Sequence, residues 1–435
     1  MKRTLFILIV VACRLQCILA TPPDSSRVSF PRPDSDSTFI AFLREAGVPF
    51  SDNNRIRLLK SGAQKFDDLF ARIEQARHHI HLEYFNFRND SIGNALFHLL
   101  ARKAQEGVEV RALFDAFGNW SNDRPLKESF LKTLRSQGID IVKFDPIRFP
   151  YVNHAAHRDH RKIAVVDGQT AYTGGMNVAD YYIYGLPKIG PWRDMHARIE
   201  GQVVTDLQRI FLQAWAHQTG QQLSDSIYCP PPAAGDSLVE VTPSGLDTTL
   251  THCHVTMATV DRTPRQNSRL LSQAYAQAIE AAHREINIVN PYFVPTASIG
   301  RALRTAIKKG VQVNIMVSAA SDISFTPDAA LHKLHKLMKK GANVYLYENG
   351  FHHSKLMMVD DTFCTLGTAN LNSRSLRYDY ETNVFIFNEA VTRELNQGFE
   401  ADLKQCTPLT SELWKKRSTW KKFVGWFANL FTPFL

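Results

Sequence analysis

Apolar positions along this chain follow two rhythms in alternation, and the alternation occurs twice. In Ala71–Phe87 (ARIEQARHHIHLEYFNF), apolar residues at helical spacing give way to strand-like alternation, and Gln277–Phe293 (QAIEAAHREINIVNPYF) repeats the change. Each segment predicts a helix running into a strand. Downstream, Gly107 closes a helical stretch before Val108-Glu109-Val110-Arg111, and Gly310 closes another before Val311-Gln312-Val313-Asn314. Glycine after a helix supplies the left-handed backbone that ends it. Two further helices are predicted to end at Gly138 and Gly341, each 31 residues past the previous glycine. A register kept over such lengths means that one supersecondary unit occurs twice.

Helices alternating with short β-branched strands predict right-handed βαβ units, hence an α/β fold. The expected architecture is two pseudo-twofold-related domains, each a mixed, mostly parallel sheet flanked by helices. The halves are assigned to residues 37–226 and 238–407, with the proline-rich 227–237 as linker. Residues 414–435 differ: Lys415, Lys416, Arg417, Lys421 and Lys422 occur with no acidic residue. Trp420, Phe423, Val424, Phe427, Leu430, Phe431 and Phe434 recur there at helical spacing, which predicts a basic amphipathic helix lying in a membrane interface. The competing reading is a terminal helix packed on the protein's own core. At the other end, Lys2 and Arg3 precede an apolar run from Leu5 to Ala12 that Arg14 interrupts. Spanning a bilayer takes about 20 apolar residues, so residues 1–20 read as a cleaved secretory signal, a segment lipid-modified at Cys13, or a short retained anchor.

A chain of 435 residues can bury a core in each half, and 44% hydrophobic with 21% charged residues suggests neither disorder nor a polytopic membrane protein. The net charge of +9 favours an anionic partner, lipid head group or nucleic acid, without choosing between them. The six cysteines show no zinc-like spacing, so no structural metal is expected, and they read as thiols rather than a disulfide framework.

The chemistry lies in HRKIAVVD (His160 to Asp167) and HSKLMMVD (His353 to Asp360), two copies of His-x-Lys-x4-Asp. Gly174 and Gly367 follow 14 residues after each His, and Asn177 and Asn370 follow after 17. A phosphodiester resists attack because its oxygens are anionic and its alkoxide is a poor leaving group. One neutral imidazole can attack phosphorus and form a phosphohistidine, while a second, protonated one donates to the departing oxygen. Lys162 and Lys355 would supply positive charge and Asn177 and Asn370 amide donors where charge gathers on the equatorial oxygens. His and Lys at i and i+2 of a strand share a face. Asp167 and Asp360 fall on the other face and read as structural, pairing near the domain junction. Asp194 and Glu381 are the candidates to orient the imidazoles, each a carboxylate downstream in its own half. Gly175 and Thr368, beside each Asn, are expected to bring backbone or hydroxyl donors to the phosphate.

Together these residues resemble the phospholipase D superfamily, and within it the bacterial cardiolipin synthases, from about Asn53 to the C-terminus. Narrower marks are GGMN (Gly174 to Asn177), GTAN (Gly367 to Asn370), WRDMHARIEG (Trp192 to Gly201), PYFVP (Pro291 to Pro295) and LNSRS (Leu371 to Ser375), where Asn372 replaces the subfamily's usual Asp. The resemblance implies that one phosphatidylglycerol donates its phosphatidyl group to the enzyme, glycerol leaves, and a second phosphatidylglycerol attacks to give cardiolipin. It implies no cofactor or metal, His160 as nucleophile and His353 as acid/base. The expected setting is a bacterial cell membrane, with the catalytic halves on the extracytoplasmic side and a monomer sufficient. The alternatives are a lipid hydrolase yielding phosphatidic acid and a nuclease. The terminal, amphipathic placement of the basic and aromatic residues disfavours a strand-tracking nucleic-acid groove, so no nucleic-acid partner is expected.

Overall fold

The computed structural model of the chain describes residues 36–147, 156–231, 251–323 and 326–430. Residues 1–20, the linker from 232 onward, Phe431 and Phe434 lie outside them. The first half carries β1 (Phe50–Leu59), β2 (His79–Tyr84), β3 (Glu109–Asp115), β4 (Ile139–Phe144), β5 (Lys162–Val166), β6 (Thr170–Gly174), β7 (Trp192–Arg193) and β8 (His196–Glu200). The second carries β9 (His252–Arg262), β10 (Glu285–Val289), β11 (Gln312–Ser318), β12 (Asn343–Tyr347), β13 (Phe351–His352), β14 (Leu356–Val359), β15 (Phe363–Gly367), β16 (Glu381–Phe387) and β17 (Cys406–Pro408).

All but β7 and β13 join one mixed sheet, in the order β17-β12-β11-β10-β14-β15-β16-β9-β1-β8-β6-β5-β2-β3-β4. The βαβ units sit near its two ends, where β2, β3 and β4 run parallel, as do β10, β11 and β12. Strands between them are antiparallel. Gly107, Gly138, Gly310 and Gly341 all take positive φ between 89° and 110°, the helix-ending conformation from which β3, β4, β11 and β12 start.

The halves do not stand on separate scaffolds. β1 pairs antiparallel with β8 of its own half and with β9 of the other, closing one sheet across the seam. Ile56, Leu58 and Ala197 pack there with Met257, Val384 and Ile386, so a core shared by both halves lies under the junction. The helix Asp36–Glu45, counted with the first half from sequence, belongs to the second: the Phe39 ring lies 5.2 Å from that of Phe363 and 5.4 Å from that of Phe385. Truncating a ring buried this fully costs about 3–5 kcal/mol, enough to fasten the helix across the seam. Tyr228, placed in the expected linker, is buried beside Phe211 and Trp215. Cys229, Cys253, Cys364 and Cys406 are free thiols.

Asp167 and Asp360 do not pair near the junction. The Asp167 carboxylate accepts from the backbone N–H groups of Arg77, His78 and His79 at 2.9, 2.8 and 2.9 Å. Asp360 accepts likewise from His283, Arg284 and Glu285 at 2.6 to 2.7 Å. Each carboxylate thus ties the turn after its His-x-Lys strand to the start of the antiparallel neighbour, β2 or β10, and each residue takes a left-handed φ, 53° and 52°.

Candidate active site

Both histidines lie just ahead of the strands that follow them, β5 and β14, and each is held by the opposite half. The His160 N–H donates to the Tyr380 carbonyl at 3.0 Å, and the His353 N–H donates to the Arg193 carbonyl at 2.7 Å. β13 and β7 reinforce the second crossing as a two-stranded parallel sheet pairing Phe351 with Trp192 and His352 with Arg193. Tyr380 immediately precedes Glu381, and Arg193 immediately precedes Asp194. Backbone crossing therefore delivers each carboxylate to the other half's imidazole.

The side chains complete the exchange. His160 Nδ1 lies 3.0 and 3.1 Å from the two Glu381 oxygens, and His353 Nδ1 lies 2.7 Å from Asp194 Oδ2. This corrects the expectation that each carboxylate serves its own half. Asp194 and Glu381 are nonetheless structural counterparts, both two residues before the residue that pairs with the motif glycine: Gly174 with His196, Gly367 with Asn383. An Nδ1–H given to a carboxylate leaves each neutral imidazole with its lone pair on Nε2. His160 Nε2 has no hydrogen-bond partner among the described residues, whereas His353 Nε2 faces the Lys355 ammonium at 2.9 Å.

Burial dominates the electrostatics. It lowers His160 below the usual histidine value against the opposing pull of Glu381, and with the neighbouring Lys355 it drives His353 down to about 3. Burial likewise brings Lys162 down to about 8 and Lys355 to about 7. For Asp194 and Glu381 burial works upward, yet the imidazoles and lysines around them hold both below the usual carboxylate range. Lys162 Nζ donates to the His160 carbonyl at 2.6 Å, and Lys355 Nζ donates to the His353 carbonyl. Asn177 and Asn370 are both buried, and in both the amide oxygen has no partner among the described residues. Since amide oxygen and nitrogen exchange places by a half-turn, each half keeps one amide end available to a ligand.

Gly175 and Thr368 serve the carboxylates instead of the phosphate. The Gly175 N–H is committed to the Met195 carbonyl at 2.9 Å, and a Cβ there would stand 2.1 Å from Asp194 Oδ1. Absence of a side chain is what admits the Asp194 carboxylate. At the matching position the Thr368 hydroxyl donates to Glu381 Oε2, and its N–H goes to the Thr382 carbonyl at 3.0 Å.

Sequence reasoning passed over two neighbours. The Trp192 ring lies 5.5 Å from the His353 ring, tilted by 51°, with its indole N–H buried and unpartnered among the described residues, a donor at the site's edge that only its place in the WRD string could have signalled. Lys65 is fully buried, its ammonium 3.2 Å from the Asn177 carbonyl and over the Phe66 and Tyr84 rings at 4.3 and 4.7 Å. It thereby pins the loop that carries Asn177. Nothing local in the sequence marks it.

Two crossed histidine–carboxylate dyads with paired lysines, set on a duplicated α/β sheet, define a phospholipase D-like enzyme. Residues 69–185 and 275–403 match the family described as cardiolipin synthase, PLD-like domain. The chain is 34% identical over 390 residues to a cardiolipin synthase of Listeria welshimeri, covering 89% of this chain and 77% of that one. It is 36% identical over 387 residues to cardiolipin synthase 2 of Staphylococcus epidermidis, covering 88% and 75%. Among solved structures, phosphatidylserine synthase from Haemophilus influenzae shares the fold with a TM-score of 0.68 at 15% identity, over 92% of this chain and 100% of that one. Polyphosphate kinase from Porphyromonas gingivalis does so at 0.53 and 14%, over 91% and 54%. The chain belongs to the cardiolipin synthase family of phospholipase D-like proteins.

Proposed function

We propose that the protein is a phosphatidyltransferase that makes cardiolipin from two molecules of phosphatidylglycerol. The crossed dyads carry this reading, because they prepare two imidazoles of different character, and Lys162 of one dyad acts electrostatically on His353 and Lys355 of the other. His160 Nε2, free of any partner among the described residues, attacks the donor phosphorus. The new P–N bond forms as the P–O bond to glycerol breaks, and His353 gives its proton to the departing oxygen. The second phosphatidylglycerol then attacks through its glycerol hydroxyl, returns that proton to His353, and breaks the P–N bond. Burial and the neighbouring Lys355 favour the neutral form of His353. An entering phosphodiester anion favours the charged form of the imidazole, so His353 enters the reaction protonated while Lys162 and Lys355 keep their charge. The lysines and the amide ends of Asn177 and Asn370 stabilise the equatorial oxygens, and the chain's own residues supply every proton transfer.

The proposed setting is a bacterial membrane surface on its extracytoplasmic side, with one chain sufficient because the two halves complete each other's dyads. Among the described residues no helix is long and apolar enough to cross a membrane. Contact is instead assigned to the helix Thr419–Leu430, whose Trp420, Phe423, Trp426 and Phe427 are 69, 49, 49 and 47% exposed. So large an apolar patch on a soluble surface marks an interaction site.

The test is to incubate purified protein with phosphatidylglycerol vesicles, with His160→Ala as control, and to identify products by mass spectrometry. Cardiolipin plus glycerol from the wild type alone is the expected result. Phosphatidic acid without cardiolipin would mean that water is the acceptor, and the transferase reading would fall.

A further inference from the structure

A basic cavity lies outside the set of residues that forms the two-histidine centre. A cavity of about 750 Å³ opens between the helices Ala297–Lys308 and Thr326–Met338, walled by Arg304, Lys333, Lys336, Lys339, Lys340 and Arg377. None of these six has an ion-pair partner among the described residues, and no acidic residue lines the cavity. A built cluster of like charges raises its own energy and calls for a counter-ion. The repulsion is visible on the wall itself, where Lys336 adds to burial in lowering Lys333.

The other wall points to the same kind of ligand. The first turn of Ala297–Lys308 lines the cavity through Thr296, Ala297 and Gly300, and the Thr296 side chain makes no capping hydrogen bond. The leading N–H groups of a helix lack intrahelical partners and attract anions. The adjoining side of Thr326–Met338 carries the exposed aromatic helix: Asn429 donates to the Ala329 carbonyl at 3.0 Å, and Gly425 sits against the Asp328 carbonyl. Around that one helix, Leu334 faces the core, Asp328 and His332 face the aromatic helix, and Lys333 and Lys336 face the cavity, with Lys340 just past the helix end joining them.

We propose that this cavity binds the phosphodiester head group of an anionic membrane phospholipid, at a site distinct from the two-histidine centre, while the aromatic helix beside it enters the same bilayer. The proposal rests on the reading that the protein works at a phospholipid surface. It does not depend on which product is formed. The lysines and helix amides take the phosphate charge, and the aromatic rings fix the depth of the neighbouring helix.

The experiment compares sedimentation with phosphatidylglycerol vesicles for the wild type, the triple variant Lys333→Gln/Lys336→Gln/Lys340→Gln, and a control of equal net charge, Arg124→Gln/Lys127→Gln/Lys132→Gln. At about 1 kcal/mol per lysine near an anionic surface, the cavity variant should partition on the order of a hundredfold more weakly, and the control no more than a few-fold. Equal loss in both variants, or no loss in either, would overturn the site. Soluble dihexanoyl phosphatidylglycerol should displace the wild type from vesicles where inorganic phosphate at the same concentration does not. Equal displacement by phosphate would make this a free-phosphate site and overturn the lipid assignment. Turnover of detergent-dispersed phosphatidylglycerol should stay within a few-fold in the cavity variant, and its collapse would place these lysines in the reaction site. The vesicle assay reads binding alone, so failure of the wild type to make cardiolipin would leave its outcome interpretable.

Discussion

Replacing Gly175 with alanine tests whether the Asp194 carboxylate, brought across from the first half, positions His353. The backbone there needs no glycine, since its φ lies outside the left-handed region, so space is the whole issue. An added Cβ would meet Asp194 Oδ1 at 2.1 Å and both Cγ and Oδ2 at 2.7 Å, against ordinary contacts above 3.4 Å. The carboxylate must retreat by about 1 Å, which ends the 2.7 Å bond to His353 Nδ1. Misplacing a catalytic group by about 1 Å costs on the order of a hundredfold in rate, and losing the orienting carboxylate of an imidazole altogether costs up to about ten-thousandfold. We therefore expect turnover of phosphatidylglycerol by Gly175→Ala to fall between those limits, mostly in kcat. Asp194→Ala should fall as far, and the double variant no further than Asp194→Ala alone, because both changes remove one interaction. Kinetics on folded protein, checked by its melting curve, decide the matter. Near-wild-type turnover in Gly175→Ala, or additive losses in the double variant, would refute the reasoning.

Other expectations follow from the same geometry. Asp167→Ala and Asp360→Ala each leave three backbone donors without their carboxylate and put alanine at a φ near 53°, so each should lose about 2–4 kcal/mol in urea unfolding with little change in turnover per folded molecule. A comparable loss of turnover would instead place them in the chemistry. Lys162 and Lys355, near 8 and 7 when folded and about 10.4 when unfolded, bind fewer protons folded than unfolded between those values. Their penalty is complete below the folded pKa and fades as pH rises, so wild type should gain stability relative to Lys162→Met/Lys355→Met from pH 7 to pH 10. A gap that stays constant across unfolding curves at three pH values would contradict the burial argument. Changing Trp420, Phe423, Trp426 and Phe427 to serine should weaken vesicle partitioning by roughly tenfold per ring, at about 1.5 kcal/mol of apolar burial each, and leave the melting temperature nearly unmoved; a large drop in that temperature would make the rings part of the core.

Local signals survived into the structure where the physics is local. The glycines that end helices, the alternation that makes strands and the matched spacing of His, Lys and Asn depend on a few neighbouring residues, and they can be read from the chain. What could not be read depends on contacts between distant segments. No local pattern says that Asp194 fills the space over Gly175, or that Lys65, which looks like a surface lysine on an amphipathic helix, is buried between two aromatic rings. The tail shows the same boundary. Its helical spacing was legible, yet the face turned to the protein is set by Gly425 and Asn429 against the helix Thr326–Met338, which leaves Trp426 outside although the spacing argument had passed it over.

The crossing of the dyads also explains why the two copies stay in one chain. His160 depends on Glu381 for its tautomer, and His353 depends on Asp194 for its own. An isolated half would carry a histidine without the carboxylate that now holds its Nδ1, together with an open sheet edge at β1 or β9 where the other half now pairs. Two ordinary domains joined by a flexible linker could drift apart and lose both imidazole orientations at once. Zipping β1 between β8 and β9 and burying Phe39 across the seam hold the crossing segments Tyr380–Glu381 and Arg193–Asp194 in register. The geometry of both dyads is thereby tied to the stability of the junction, so on the proposed mechanism a substitution that loosens the seam should impair both dyads together.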